Sequence, residues 1–220
     1  MDKWILSFDV GKKSDPSGVG LYKCWPQVTG GGVLWYLLLA QQWKWRRMPY
    51  TQQAENLATL TGRMKGDLTF VMDATGVGEA VKDLLVSRGM NPLCIYYSGG
   101  ATVHKVRSGN GATTGWTVPK QDLIHAAQLL VQQHRLKVLP SCRRRDEFTA
   151  QMKGFKGRIN EKGRLSADAV DDELHDDMVN HLLMASWYFT MMDRKLDSIA
   201  ESVTSPGGGP DTYPEWDPWS

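Results

Sequence analysis

Residues 173–189 read ELHDDMVNHLLMASWYF, three acids and two histidines running straight into an apolar stretch. Two chemistries fit Asp176 and Asp177 standing together beside His175 at the start of a helix. Aspartates there can satisfy orphan N–H groups and suit the positive end of the helix dipole. Alternatively they hold a metal ion, which needs partner carboxylates elsewhere. Asp9 and Asp73 are the candidate partners, because each ends an apolar run, in WILSFDVG and in LTFVMDATGVG, with turn-forming aspartates as the plainer alternative. An ionised side chain at the end of such a run is buried only if it is paired or metal-bound. With both runs as adjacent central strands, the two carboxylates leave the sheet at one edge, where a helix starting at Asp176 and Asp177 adds a third and a fourth. Like charges that close raise one another's pKa unless a cation compensates. Mg²⁺ takes carboxylate oxygens and water, and a pair of such ions about 3.5–4 Å apart serves phosphodiester hydrolysis by in-line attack of water. His175 then suits either orientation of a carboxylate or water or a plain place beside the helix cap, and His181, further along the helix, suits packing.

The elements needed to place these acids can be traced along the chain. WILSFDVG, VGLYKCW and GGVLWYLLLAQQWKW read as three strands joined by short turns, an antiparallel meander. TQQAENLATLTGRM has helical spacing with Thr51 as its expected N-cap. LTFVMD is a strand, Gly76 and Gly78 lie in its turn into a helix over EAVKDLLVSRG, and PLCIYYSGG is a further strand. A helix over 119–136 follows, then the stub KVLP, a short helix with a Gly- and Lys-rich hairpin or loop over 146–166, and a last helix from about Asp176 to about Asp197. The expected fold is an α/β mixed sheet, three antiparallel strands with parallel additions through helical crossovers, flanked by helices. Residues 1–197 form its domain, and the Pro/Gly-rich acidic segment 198–220 is expected to be a flexible tail.

The net charge of +2 hides an asymmetry. Residues 101–165 carry 13 Lys and Arg against 4 Asp and Glu, whereas 166–220 carry 2 against 12. A basic middle beside an acidic end fits a polyanion surface next to a carboxylate site. Lys105 and Arg107, the run Arg143, Arg144 and Arg145, and Lys153, Lys156 and Arg158 are the expected contacts to a DNA backbone. Binding of that kind is salt-sensitive and largely independent of sequence. Ordinary solvated loops are the plainer reading of the same residues, and Glu147 and Asp122 read as surface charges. Trp116 and Phe155 suit either base stacking or the core. Cys24, Cys94 and Cys142 are too few and too scattered for a disulfide framework or zinc knuckle. The longest apolar run, over 33–40, is too short to cross a bilayer, and the start lacks a signal-peptide layout, so an intracellular setting is expected.

Set in order, FDVGKKSDPSGVGLY, VMDATGVGEAVKDLL, VPKQDLIHAAQLLVQQHRLKV and HDDMVNHLLMA resemble the nuclease domain of the bacteriophage large terminase, of the RNase H / retroviral-integrase superfold, over roughly residues 3–190. The resemblance implies a Mg²⁺- or Mn²⁺-dependent endonuclease with two ions, cutting concatemeric double-stranded phage DNA during packaging in the host cytoplasm. It implies Asp9, Asp73 and one or both of Asp176 and Asp177 as metal ligands. Many relatives carry a further acid three positions after the pair, where this chain has Asn180. No G-x-x-x-x-G-K-[ST] phosphate loop occurs, so the resemblance implies either an isolated nuclease domain or a separately encoded nuclease subunit that relies on a separate ATPase motor subunit as partner. A Holliday-junction resolvase would use the same carboxylates, although the Trp- and Tyr-bearing acidic tail and the VPKQDL helix speak against it. A non-catalytic nucleic-acid-binding module of the same fold is a further alternative. FDVGKKSDPSGVG also resembles the phosphate loop of actin-like sugar kinases, which need a duplicated fold and a longer chain.

Overall fold

The heptapeptide KWILSFD forms β1 (Lys3–Asp9), and every residue after the first is buried. A strand buried on both faces must lie inside a sheet with layers above and below it. The computed structural model describes residues 2–12, 15–29, 32–162 and 177–200, with side chains over 2–12, 15–28, 32–153 and 178–192. β1 pairs antiparallel with β2 (Ser17–Thr29), which pairs antiparallel with β3 (Gly32–Trp45), giving the expected meander. After α1 (Tyr50–Arg63) the chain returns as β4 (Asp67–Asp73), parallel to β1 on its other side. α2 (Val77–Val86) crosses to β5 (Leu93–Ser98), parallel to β4.

Next come β6 (His104–Arg107) and β7 (Thr113–Pro119), an antiparallel hairpin whose second strand runs parallel to β5. α3 (Lys120–Gln132), β8 (Leu136–Val138), α4 (Arg145–Lys162) and α5 (Asp177–Ala200) complete the described chain. The sheet order is β6-β7-β5-β4-β1-β2-β3-β8, an RNase H-like mixed sheet with helices on it. α5 lies against β1 to β4 and is covered by α3 and α4. Enclosed this way, it buries nearly every side chain from Met178 to Phe189, the pattern of a core helix rather than an amphipathic one. No described helix is long and apolar enough to cross a membrane.

Three local readings need correction. The basic segment 104–111 is a strand and a turn rather than a loop. α4 runs unbroken from Arg145 to Lys162, where a short helix with a hairpin or loop was expected. Its first turn carries Asp146 and Glu147, which suit the positive end of the helix dipole. The N-cap of α1 is Pro49, without a side-chain cap, not Thr51. The strand-to-helix turn after Asp73 is as expected, with Gly76 at φ 62° capping α2. A Cβ on Gly78 would fall 2.2 Å from the Asp73 carbonyl oxygen. Gly78→Ala should therefore cost about 1–3 kcal/mol of stability, read from urea unfolding, and should displace the backbone that carries Asp73.

Candidate active site

The register β1–β4 pairs Phe8 with Met72 as its last couple. The next residues are Asp9 and Asp73, so their Cα atoms sit about 5 Å apart with side chains on one face of the sheet. Asp9 is 7% exposed and Asp73 8%. Asn180 of α5 donates its Nδ2 to Asp9 Oδ2 at 3.2 Å. The backbone N–H of Thr75 donates to Asp73 Oδ1 at 2.8 Å. Burial raises the Asp73 pKa, opposed by the Thr75 hydrogen bonds and by the charge of Lys120. Among the described residues, no Lys or Arg lies within ion-pair distance of Asp73.

Two further groups face this pair. Ile95 sits beside Asp73 in the register, so Tyr97, two residues on, projects from the same sheet face, one step further out. Its hydroxyl is buried and has no hydrogen-bond partner among the described residues. Burial, with the Asp73 and Asp9 charges adding, holds that phenol well above its ordinary pKa, so it remains a donor. Lys120 is the first residue of α3, directly after the Val118-Pro119 end of β7. Reasoning from sequence passed over Tyr97 and Lys120. Lys120 did carry a signal, a charge at the exit of a strand in the manner of Asp9 and Asp73, whereas Tyr97 read only as part of an apolar strand.

The late acids are only partly placed. His175 and Asp176 lie outside the described residues. Asp177 opens α5, and its side chain lies outside them as well. Position 177 is three residues before Asn180 and so shares its helix face, one turn nearer the N-terminus. The N–H of Met178 is already satisfied by Gln151 Oε1 of α4 at 3.2 Å, so that helix donor needs no aspartate. Among the described residues no group of three or more His, Cys, Asp and Glu forms a metal cage. Asp9 and Asp73 still supply the hard oxygen donors that suit Mg²⁺ or Mn²⁺.

The expected DNA contacts divide between the two flanks of the sheet. Lys105 is exposed and level with Asp73 through Trp116 and Ile95, three strands away or about 14 Å. Arg107 is two residues further along a strand running away from the carboxylates, displaced about 7 Å along the strand direction, and donates to the Gly111 carbonyl. Arg143, Arg144 and Arg145 are exposed beyond β8, on the other flank. The Arg143 carbonyl accepts from Gln42, while Arg144 pairs with Glu147 at 2.8 Å. Glu147 is thus no plain surface charge, since it also holds the buried ammonium of Lys44 at 2.9 Å. Against the burial that raises it, these two cations keep the Glu147 pKa below the ordinary value. Lys153 is exposed on α4; Lys156 and Arg158 lie on the same helix, with side chains outside the described residues. Trp116 meets Trp187 and Tyr188 of α5 edge-on, a core role rather than base stacking. Phe155 is outside the described side chains.

Neither a known family model nor a curated protein sequence matches the chain. Solved structures do. The large-terminase nuclease domain of bacteriophage SPP1, solved with bound manganese, is 10% identical, with 86% of each chain covered and a TM-score of 0.50. The large-terminase nuclease of thermophilic phage G20c is 15% identical over 86% of this chain and 82% of its own, at a TM-score of 0.47. The human cytomegalovirus terminase nuclease domain, soaked with manganese, is 10% identical over 84% and 82%, at 0.45. With its strands, crossovers and helices in place, this chain has the RNase H-like fold seen in the SPP1 terminase nuclease domain.

Proposed function

We propose that this protein is a divalent-metal-dependent DNA endonuclease of the terminase type, cutting concatemeric phage DNA during packaging in the host cytoplasm. The observation that carries the reading is the pair Asp9 and Asp73, buried side by side at the ends of parallel central strands. Two such carboxylates cost stability unless a cation joins them. Asp9, Asp73 and one or both of Asp176 and Asp177 would hold Mg²⁺ or Mn²⁺, as two ions. Bound there, the metal supplies Lewis-acid stabilisation of charge on the phosphodiester and a lowered pKa for water.

The chain's own groups set the stage for in-line attack. Asn180 fixes the Asp9 carboxylate and Thr75 that of Asp73. Lys120 adds positive potential for a phosphate, and the protonated Tyr97 adds a donor. His175 acts as an orienting group. Lys105, Arg107, Arg143, Arg144, Arg145, Lys153, Lys156 and Arg158 hold the duplex by its phosphates, with Arg144 sharing its charge with Glu147. A separate ATPase motor subunit is the proposed partner for translocation.

Incubating the purified protein with supercoiled and linear duplex in Mg²⁺, Mn²⁺, Ca²⁺ or EDTA checks the reading. Cutting in Mg²⁺ or Mn²⁺ and none in Ca²⁺ or EDTA is the expected pattern. Duplex binding without cutting in any metal would instead favour a non-catalytic module.

A further inference from the structure

A cleft of about 520 Å³ opens beside the carboxylate edge, lined among others by Gly11, Lys12, Trp45, Arg47, Tyr50 and Gln53. Gly11 is two residues beyond Asp9, and Val77, also in the lining, is four beyond Asp73. Its size is that of a small-ligand site. Lys12 and Arg47 are exposed at it, and Arg47 holds a left-handed backbone at φ 52°. Non-glycine residues persist in that region where surrounding structure imposes it, often at ligand sites.

Gln53 adds an independent mark. It is 3% exposed, its Nε2 donates to the Met48 carbonyl at 2.8 Å, and its buried Oε1 has no partner among the described residues. A buried acceptor left unpaired awaits a donor. The cleft thus combines two cations, Lys12 and Arg47, against the single carboxylate of Asp15, with an acceptor for an N–H or O–H, on a wall fixed by the Tyr50 hydroxyl donating to the Gly11 carbonyl at 2.9 Å.

The geometry points to a nucleotide subsite: the cleft seats one nucleotide of the DNA strand beside the scissile bond, its phosphate on Arg47 and Lys12 and a base or sugar donor on Gln53. This rests on the nuclease reading above. It makes the 45–53 segment part of the substrate surface, separate from the basic flanks at β6 and α4.

Duplex binding by the full chain in EDTA, measured by fluorescence anisotropy across a salt series, tests it. Arg47→Gly should weaken binding about fivefold to tenfold at low salt and reduce the salt slope by about 1, the loss of one phosphate contact. Arg47→Lys should restore the slope. Glycine accepts a positive φ, so the melting temperature of Arg47→Gly should not fall, which separates lost contact from lost fold. A duplex bearing a photoreactive thymine analogue should crosslink to the 45–53 segment. An unchanged slope in Arg47→Gly, or crosslinks confined to other segments, overturns the subsite and leaves the nuclease reading standing. A wild-type protein that fails to bind duplex at all overturns both.

Discussion

Asp73→Asn should abolish cutting, by on the order of a thousandfold or more, and yet melt at a higher temperature than the wild type in EDTA. On the proposed nuclease reading, the rate loss follows from removing a carboxylate that would hold the Lewis-acid metal, a contribution of several kcal/mol with each 1.4 kcal/mol worth a factor of ten. The stability gain follows from burial. Asp73 is 8% exposed, and burial holds its pKa above the ordinary 3.8. A group protonated more readily in the folded state stabilises fully only below its unfolded pKa. That contribution is lost as pH rises through the folded value, so at neutral pH the ionised carboxylate destabilises the fold. Asparagine keeps the shape and the acceptor for Thr75 without the charge. For a chain of this length each kcal/mol released should appear as about 2–4 °C in melting temperature.

Metal titration supplies the second readout. At a hundred times its dissociation constant, a ligand bound only by the folded state adds about 3 kcal/mol. Wild type should therefore gain roughly 5–10 °C on addition of Mn²⁺, and Asp73→Asn little or none. Equal shifts in the two proteins would remove Asp73 from the metal site, whatever happened to cutting.

Why were Asp9 and Asp73 readable from sequence while Asn180, Tyr97 and Lys120 were not given their places? The two aspartates break a local rule, a charge closing an apolar run, and a broken local rule shows in one dimension. The meander was readable for a similar reason, as long apolar strands around short turns. Asn180 stands inside the buried face of α5, and its role exists only because that helix meets β1. The β6–β7 hairpin was missed because β6 is only the four residues HKVR, three of them exposed, and Gly115 and Pro119 interrupt the short apolar pattern of β7, TTGWTVP. Glu147 misled because its partner Lys44 is 103 residues away and buried beneath it. The late acids, by contrast, were legible as a cluster, and the described structure adds to them only the helix start at Asp177 and the cap supplied by Gln151.

The other large effect lies one residue past Asn180. His181 is fully buried, stacks on Phe148, and meets the Tyr22 hydroxyl through Nδ1 at 2.7 Å. Gly20 makes room for it, since a Cβ there would stand 2.4 Å from that nitrogen. Burial holds the Tyr22 phenol well above its ordinary pKa, so tyrosine donates and the imidazole accepts. Burial also pushes the His181 pKa down to about 3 from 6.5. The unfolded chain then takes a proton below pH 6.5 that the folded chain refuses. Stability from this neutral histidine is whole above pH 6.5 and drains as pH falls toward 3, at about 1 kcal/mol per pH unit. Between pH 6.5 and 4.5 the loss amounts to about 2–3 kcal/mol, a large share of the 5–15 kcal/mol typical of a folded domain. Urea unfolding at pH 7, 6, 5 and 4.5 should show it. Tyr22→Phe alone should cost about 1–3 kcal/mol at every pH, by stranding a buried acceptor. Tyr22→Phe with His181→Leu, which removes both polar partners, should flatten the acid limb by about 1 kcal/mol per unit. An identical limb in wild type and double variant would place the acid sensitivity elsewhere.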